Sequence, residues 1–180
     1  ITGTNGKTTT TALIGEIMRT YYKNVFVVGN IGIPYTAMVK EITDDAVTVA
    51  EMSSFQLETV ERFRPDVSAV LNITPDHLNR HHTMENYIDA KFNITNNQTP
   101  KDTCVLNYED EVLRKAGESL QCKILWFSGK RRLEQGLCLE GDRIVYYPGD
   151  VLQLNCFSGF AEEAEGEFVP VIDVKELNII

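Results

Sequence analysis

The chain has 180 residues, of which 43% are hydrophobic and 24% are charged, and its formal net charge is −9. These fractions are typical of a soluble globular protein, and a chain of this length can bury about 70% of the surface that its unfolded form exposes. No apolar run approaches the roughly 18 residues that a membrane span requires, so we expect no membrane partner. The acidic balance also argues against a nucleic-acid partner.

A glycine-containing loop that runs into a helix opens the chain. Apolar residues at helical spacing follow the loop: Leu13, Ile14, Ile17, Met18 and Tyr21. A loop before a helix presents backbone N–H groups and the positive end of the helix dipole to an anion. Gly3 and Gly6 let the backbone close around a phosphate, Lys7 supplies a positive charge, and the Thr8 hydroxyl can ligate Mg²⁺.

This opening predicts a site for a nucleoside triphosphate. The match to the general phosphate-loop pattern is incomplete, because Ile1 stands where that pattern has its first glycine. The alternative is a glycine turn that only caps an ordinary helix.

Strands and helices alternate through the first half of the chain. Continuous apolar runs predict buried strands at residues 24–28, 46–50 and 67–72. Helical segments are predicted at residues 35–41 and from a capping box at Ser53 and Gln56 toward Phe63. This order is typical of an α/β fold with a mostly parallel sheet flanked by helices.

Polar residues follow the ends of these predicted strands. Asn30, Glu51 and the pair Asp76-His77 each lie just past the end of one of them. In parallel sheets ligands bind beyond the carboxyl ends of the strands, so we expect these side chains to converge with the phosphate loop. Glu51 is placed as an acidic metal ligand opposite Thr8, and the alternative is that it caps the helix that follows.

The next predicted helix is capped by Thr83 and runs to about residue 97. Its apolar stripe continues from Tyr87 and Ile88 to Lys91, so we expect the lysine to point toward the interior or toward a site. The alternative is that Lys91 lies at the margin of the stripe and its long side chain reaches back to solvent.

Three histidines precede this helix. His77 and His81 have the i, i+4 spacing of a zinc pair on a helix, but Pro75 indicates a turn and no further ligand completes a set. A solvent-facing histidine cluster and a single functional His77 remain the two alternatives.

The second half of the chain is richer in strands. Strands are predicted at residues 104–107 and 123–128, with a helix at 110–116 between them. A β-hairpin over residues 137–147 and further short strands at 151–154 and 169–174 predict a small antiparallel annex. The four cysteines form no C-x-x-C pair, which favours reduced thiols in a cytoplasmic protein, with zinc binding or disulfide pairing as alternatives.

Five sequence blocks occur in an order that resembles the central ATP-binding domain of the Mur ligases of bacterial cell-wall synthesis. The blocks are Gly3-Thr4-Asn5-Gly6-Lys7-Thr8-Thr9, Gly29-Asn30-Ile31-Gly32, Glu51-Met52-Ser53-Ser54-Phe55-Gln56-Leu57-Glu58, Asn72-Ile73-Thr74-Pro75-Asp76-His77-Leu78-Asn79-Arg80-His81 and Met84-Glu85-Asn86-Tyr87-Ile88-Asp89-Ala90-Lys91. The third and fourth blocks favour the branch of the family that adds D-glutamate. The resemblance is strong to about residue 97 and architectural beyond it.

The resemblance implies an ATP-dependent amide ligase that acts through an acyl phosphate. Its substrates would be UDP-N-acetylmuramoyl-L-alanine and D-glutamate. The ATP-binding residues that it implies are Gly3, Thr4, Asn5, Gly6, Lys7, Thr8 and Thr9. The catalytic residues that it implies are Lys7, His77 and Lys91.

The resemblance also implies two Mg²⁺ sites. Thr8 and Glu51 would bind the first ion, and His77 would help to bind the second. Lys91 matches the family lysine that CO₂ converts to a carbamate, which would make it a carboxylate-like metal ligand. The residues that would contact the muramoyl substrate are Asn30 and Gln56.

Family architecture implies that residues 1–180 are one central ATP-binding domain, truncated at both ends, without the UDP-binding and C-terminal domains. A monomeric, cytoplasmic enzyme is expected, and the fragment alone is expected to be inactive. The alternatives are another Mur ligase, a folylpolyglutamate synthetase relative, or an isolated nucleotide-binding module without activity.

Overall fold

A computed structural model describes residues 1–148 and 169–173 of the chain. The helices are α1 (Lys7–Arg19), α2 (Tyr35–Met38), α3 (Ser54–Leu57), α4 (Leu78–His81), α5 (Met84–Phe92) and α6 (Glu111–Gly117). The strands are β1 (Val25–Gly29), β2 (Val47–Glu51), β3 (Val67–Val70), β4 (Thr103–Asn107), β5 (Lys123–Ser128), β6 (Gly136–Glu140), β7 (Arg143–Tyr147) and β8 (Val169–Asp173). The predicted strand at 151–154 lies outside the described residues.

The strands β1 to β5 form parallel pairs, and the first two residues of the chain join them. β1 pairs with β2, whereas β3, β4 and β5 pair in sequence order. Between β2 and β3, the Ile1 backbone N–H donates to the Ala50 carbonyl, and the Ile1 carbonyl accepts from Met52. Thr2 forms a parallel bridge with Val70. The carboxyl ends of β1, β2 and β3 therefore lie at the same edge of the sheet as the loop that follows Thr2. The predicted α/β architecture is confirmed.

An antiparallel unit follows the parallel strands, as the sequence predicts. β6 joins the end of β5 in parallel, and β6, β7 and β8 then pair antiparallel. Gly141 has a φ of 57°, the left-handed conformation that a tight hairpin turn requires. A separate small core lies under the hairpin, formed by Leu133, Cys138, Val145 and Tyr147.

The helix α1 is where the sequence predicts it, but its buried face differs from the predicted apolar stripe. Thr11 and Gly15 are the residues of α1 that are buried. A Cβ on Gly15 would lie 2.4 Å from the Val27 Cγ2, so the helix approaches β1 more closely than a larger residue would allow. Three apolar side chains of the predicted stripe are exposed: Leu13, Ile17 and Tyr21.

The helix α3 is shorter than predicted. The capping box at its start is present, but the helix ends at Leu57 instead of continuing toward Phe63. Beyond this point the Asn97 side chain donates hydrogen bonds to the carbonyls of Glu61 and Phe63. These bonds satisfy the backbone in a non-helical conformation, which explains why the capping box opens only a short helix.

The helix α5 begins as predicted and ends early. The Thr83 side chain accepts a hydrogen bond from the Asn86 backbone and caps the helix. The helix ends at Phe92 and gives way to a short 3-10 turn, Asn93–Thr95, instead of continuing to residue 97. The predicted helix at 35–41 is likewise shortened to α2.

The main core lies between β3, β4 and the helices that cover them. Its fully buried members include Leu57, Val70, Tyr87, Ile94, Leu106 and Leu113. Three cysteines carry free, buried thiols: Cys104, Cys122 and Cys138. The helices of the described residues are all too short or too polar to cross a membrane.

A buried carboxylate, Asp102, fixes the turn that leads into β4. It accepts hydrogen bonds from the Thr99 backbone at 2.6 Å and from the Arg64 Nε at 2.9 Å. The Arg64 guanidinium, with the Thr99 backbone, lowers the pKa of Asp102 from 3.8 to about 2. Because the folded pKa lies below the unfolded one, the carboxylate stabilises the fold above pH 4 and loses this effect as the pH falls toward 2.

Asp102→Asn should therefore lower the melting temperature at neutral pH by several degrees and weaken the loss of stability between pH 4 and pH 2. Thermal denaturation followed by circular dichroism at a series of pH values measures both effects. Asp44→Asn, which changes an exposed carboxylate in the turn before β2, is the matched control. It should leave the melting temperature unchanged at each pH. An Asp102→Asn variant with the pH profile of the unsubstituted protein would contradict the assignment.

Candidate functional site

The loop before α1 has the geometry of an anion cradle. Gly6 caps the helix with a φ of 81°, which glycine adopts without strain. Gly3 lies against the end of β3, where a Cβ would come 3.2 Å from the Leu71 Cβ. Thr8 and Thr9 are exposed in the first turn, which contains no acidic residue. The unpaired N–H groups of this first turn are suited to bind an anion.

The chain after β3 holds the loop in place. The Thr4 backbone N–H donates to the Asn72 carbonyl at 2.9 Å. The Asn72 side chain accepts from the Asn5 N–H at 2.8 Å and donates to the Asn5 carbonyl at 3.0 Å. The Thr74 N–H donates to the Thr4 Oγ1 at 3.0 Å. The phosphate loop and the segment that leads to His77 therefore form one hydrogen-bonded unit.

The two lysines predicted to be catalytic meet at one carbonyl oxygen of this loop. Lys7 Nζ donates to the Gly3 carbonyl at 3.0 Å and to the Thr4 carbonyl at 2.9 Å. Lys91 Nζ donates to the same Gly3 carbonyl at 2.7 Å. Two lysines that are far apart in the sequence thus lie side by side in the folded chain.

Lys91 is buried, with only 2% of its surface exposed. Burial and, to a smaller extent, the positive charge of Lys7 together lower its pKa from 10.5 to about 8, while the negative charge of Asp76 acts in the opposite direction. The inward orientation predicted from the helical stripe is confirmed, and the alternative of a lysine that reaches back to solvent is wrong. A buried amine with a lowered pKa is neutral more often than an ordinary lysine and is therefore a better nucleophile.

Tyr87 belongs to the same group of residues, although the sequence pattern assigned it only to the apolar stripe. Its ring lies 4.8 Å from Lys91 Nζ, and its hydroxyl is 3.1 Å from the Thr4 Oγ1. The only sequence signal for this contact is that a buried tyrosine hydroxyl requires a hydrogen-bond partner. α5 is thus connected to the phosphate loop by both Tyr87 and Lys91.

Glu51 lies at the end of β2 and is 2% exposed. The Asn30 side chain, at the end of β1, donates to the Glu51 Oε1 at 3.1 Å. The close approach of the two strand ends requires Gly29, because a Cβ there would lie 2.0 Å from the Glu51 carbonyl oxygen. Ile1 forms backbone hydrogen bonds with Ala50 and Met52, the residues on either side of Glu51. Glu51 is therefore separated from the start of the phosphate loop by the spacing of one pair of adjacent strands.

His77 lies at the end of the segment that follows β3. Its backbone has a φ of 51°, and its Nε2 is 3.5 Å from the Asp76 Oδ2. Its ring contacts the Phe55 ring, with the centroids 4.9 Å apart. Phe55 belongs to α3, directly after Glu51, so the chain segments that carry Glu51 and His77 are in contact at the same edge of the sheet.

Gln56 has a structural partner in addition to its predicted substrate role. Its Oε1 accepts hydrogen bonds from the Ser53 backbone N–H at 2.9 Å and from the Ser53 hydroxyl at 3.1 Å. The side-chain nitrogen of Gln56, Nε2, has no hydrogen bond within the described residues. It is therefore the donor that would reach a substrate.

His81 differs from the prediction of a solvent-facing histidine cluster. It is 4% exposed, whereas His77 and His82 are exposed. Its ring nitrogens contact Ser54 and Glu58, which are far from it in sequence. No local pattern reveals such contacts, because they depend on how two loops pack.

The residues at this edge fit a divalent cation that shares its ligands with phosphate. Among the described residues, no group of three or more His, Cys, Asp or Glu side chains could hold a metal alone. Mg²⁺ commonly takes one or two protein oxygens and completes its shell with phosphate oxygens and water. The Glu51 carboxylate, with the Thr8 hydroxyl in the first turn of α1, offers that kind of incomplete set.

A parallel sheet with a glycine loop that enters a helix, and with polar side chains at the adjacent strand ends, defines an α/β domain of the phosphate-loop type. The family model described as the Mur ligase middle domain matches residues 1–151. The chain therefore belongs to the Mur ligase middle-domain family.

Curated relatives with high sequence identity carry one name, UDP-N-acetylmuramoylalanine–D-glutamate ligase. The protein of Lachnoclostridium phytofermentans is 63% identical over 180 residues, which are 100% of this chain and 36% of the relative. The protein of Lachnospira eligens is 56% identical over 149 residues, 83% of this chain and 33% of the relative. The chain thus spans about a third of the length of the curated relatives that it matches.

Solved structures of the family share the fold. The MurF ligase of Thermotoga maritima, solved in complex with ADP, has a TM-score of 0.58 and 21% sequence identity, and the match covers 81% of this chain and 36% of that structure. At this identity the likeness supports the architecture alone.

Proposed function

We propose that the complete protein is an ATP-dependent ligase that joins D-glutamate to UDP-N-acetylmuramoyl-L-alanine. The observation that carries this proposal is the meeting of Lys7 and Lys91 at the Gly3 carbonyl, one strand away from the buried carboxylate of Glu51. Phosphoryl transfer requires positioned positive charge and a metal ligand at one place, and these residues supply both. The names of relatives that are 56–63% identical support the choice of amino acid.

The phosphate loop would bind the triphosphate. Backbone N–H groups of the loop and of the first turn of α1 would donate to phosphate oxygens, and Lys7 would move from the Gly3 carbonyl to the transferring phosphate. The residues assigned to this task are Gly3, Thr4, Asn5, Gly6, Lys7, Thr8 and Thr9. The hydrogen bonds between Asn72 and Asn5 already hold this loop in place. The binding of ATP would therefore cost less conformational entropy in the loop.

The reaction would proceed in two displacements. An oxygen of the alanyl carboxylate attacks the γ-phosphorus, and the bond to ADP breaks, which gives an acyl phosphate. The amine of D-glutamate then attacks the acyl carbon, loses a proton, and displaces inorganic phosphate. Lys7 would stabilise the negative charge that gathers on the transferring group.

Two Mg²⁺ ions, when bound, would neutralise phosphate charge and orient the reacting carboxylate. We assign Thr8 and Glu51 to the first ion, and His77 and a carbamate of Lys91 to the second. The buried amine of Lys91, with its pKa of about 8, supports the carbamate assignment, because only a neutral amine reacts with CO₂. Asn30 and Gln56 would contact the muramoyl substrate.

The proposal includes a monomeric enzyme in the cytoplasm. The three free thiols of the described residues are compatible with a reducing compartment.

Titration of ATP with Mg²⁺ by calorimetry and assay of phosphate release on the complete protein test the function. We expect ATP binding, and phosphate release that requires both the UDP-linked substrate and D-glutamate. Release that instead depends on another amino acid would indicate a sibling ligase, and release with a folate substrate and L-glutamate would indicate a folylpolyglutamate synthetase. Binding without release would indicate a nucleotide-binding module, whereas failure to bind ATP would exclude the phosphate-loop assignment.

A further inference from the structure

A buried imidazole, that of His81, lies between the chain segments that carry the proposed metal ligands. Its Nε2 is 3.0 Å from the Ser54 Oγ, and its Nδ1 is 3.1 Å from the Glu58 Oε1. Both partners follow β2, the strand that ends at Glu51, whereas His81 itself ends the helix that follows His77. Among the described residues, no backbone hydrogen bond joins α3 to α4. The imidazole of His81 therefore links these two segments through its side chain.

The hydrogen bonds define the orientation of the ring. An ionised carboxylate only accepts, so the Nδ1 beside Glu58 carries a proton. In a neutral ring the Nε2 then accepts from the Ser54 hydroxyl, which satisfies both nitrogens without a buried charge on the imidazole. Each ring nitrogen thus has one specific partner on the opposite loop, and an apolar ring of the same shape would have neither.

Ring stacking extends this link to His77. The His81 ring stacks on Phe55, with the centroids 5.6 Å apart and an interplanar angle of 16°. Phe55 also contacts the His77 ring, and the Arg80 guanidinium lies 4.7 Å from the centroid of Phe55. Arg80 is in turn paired with Glu58 at 2.7 Å. The His77 ring therefore packs on a side chain, Phe55, that is also in contact with the His81 ring and the Arg80 guanidinium.

A second contact extends from His81 to the phosphate loop. The His81 ring lies 5.2 Å from the Tyr87 ring, and the Tyr87 hydroxyl contacts the Thr4 Oγ1. The Asn86 side chain donates to the His81 carbonyl at 2.9 Å, which fixes the backbone of His81 on the first turn of α5. The imidazole thus packs between the segments that carry Glu51, His77 and Lys91.

We propose that His81 is a positioning residue that holds His77 and the segment after Glu51 in the arrangement required for the metal-dependent reaction. In this role it acts through its contacts with Ser54, Glu58 and Phe55. This inference rests on the ligase function proposed above. It predicts that removal of the two ring hydrogen bonds weakens the use of Mg²⁺ more than it weakens the binding of ATP.

The test compares steady-state kinetics of the complete protein and its His81→Phe variant. Phenylalanine keeps an aromatic ring in the stack and removes both hydrogen bonds. We expect kcat to fall about ten- to a hundredfold and the Mg²⁺ concentration for half-maximal rate to rise several-fold, as for other groups that orient metal ligands. The KM for ATP should change by less than about twofold, because the bonds between the phosphate loop and Asn72 remain.

Two further variants make the test specific. Ser54→Ala removes only the bond to Nε2 and should shift the Mg²⁺ dependence in the same direction by a smaller factor. His82→Asn changes the exposed neighbour and should leave kcat and the Mg²⁺ dependence unchanged. The melting temperature of each variant shows whether it is folded.

The outcomes separate this inference from the function on which it rests. An unsubstituted protein that releases no phosphate would overturn the ligase function, and the positioning role with it. An active protein whose folded His81→Phe variant keeps the original kcat and Mg²⁺ dependence would overturn the positioning role alone. If His81→Phe does not fold, an unchanged Mg²⁺ dependence in Ser54→Ala would overturn it instead.

Discussion

Lys7→Ala should reduce ATP-dependent phosphate release by the complete protein about 10²- to 10³-fold while leaving the fold intact. The ammonium group lies at the Gly3 and Thr4 carbonyls, at the point where the triphosphate would bind, and alanine removes its charge from that place. The stability effect should be small, because the side chain forms only two hydrogen bonds to a partly exposed loop. Phosphate release and the melting temperature, measured on the same preparation, check both parts.

Lys23→Ala is the matched control for this prediction. Lys23 is exposed in the turn between α1 and β1, so its substitution makes the same change in net charge outside the site. Its activity should equal that of the unsubstituted protein. A Lys7→Ala variant that retains more than about a tenth of the activity would contradict the electrostatic role assigned to Lys7.

The parts of the fold that follow from local sequence were predictable. The capping box at Ser53 and the cap at Thr83 are defined by side chains a few residues from the backbone groups that they bind. Helical periodicity placed Lys91 on the apolar stripe, and its burial in the folded chain decides between the two alternatives that the stripe left open. The strand ends at Asn30 and Glu51 follow from apolar runs, and the parallel order of the strands brings them together.

The parts that depend on distant contacts were not predictable. The early end of α3 reflects hydrogen bonds from Asn97, which no local rule would connect with that helix. The buried face of α1 is decided by its close approach to Val27, which Gly15 allows. His81 is buried because Ser54 and Glu58 lie opposite it in the folded chain.

The same distinction applies to the candidate site. Motifs pointed to Lys7, Glu51, His77 and Lys91, because the chemical role proposed for each constrains its residue type. Tyr87 contacts Lys91 and Thr4, and His81 packs against Phe55 and Tyr87, and only the folded chain shows those contacts. A sequence therefore reveals the groups that would touch the substrate more readily than the groups that hold them in place.

The carbamate proposed at Lys91 leads to a pH-dependent prediction. The neutral amine attacks the carbon of CO₂, a proton leaves the nitrogen, and a carbamate with one negative charge forms. Since the pKa of Lys91 is about 8, at a fixed concentration of dissolved CO₂ the modified fraction should rise as the pH rises through this value. A ¹³C resonance from ¹³CO₂-treated protein that is absent in Lys91→Ala would identify the modified residue.

Lys91→Ala should lose most of the ligase activity, and short carboxylates such as formate or acetate should restore part of it. The substitution removes a fully buried side chain beside the Gly3 carbonyl and Tyr87, and leaves a space in which a small anion can take the place of the carbamate. Phosphate release measured against carboxylate concentration, with the melting temperature as a check on folding, tests the idea. Lys7→Ala under the same conditions should show no rescue, because it lacks a cation rather than an anion. A folded Lys91→Ala variant that no concentration of carboxylate restores would count against the carbamate and leave Lys91 with a role in fixing the phosphate loop alone.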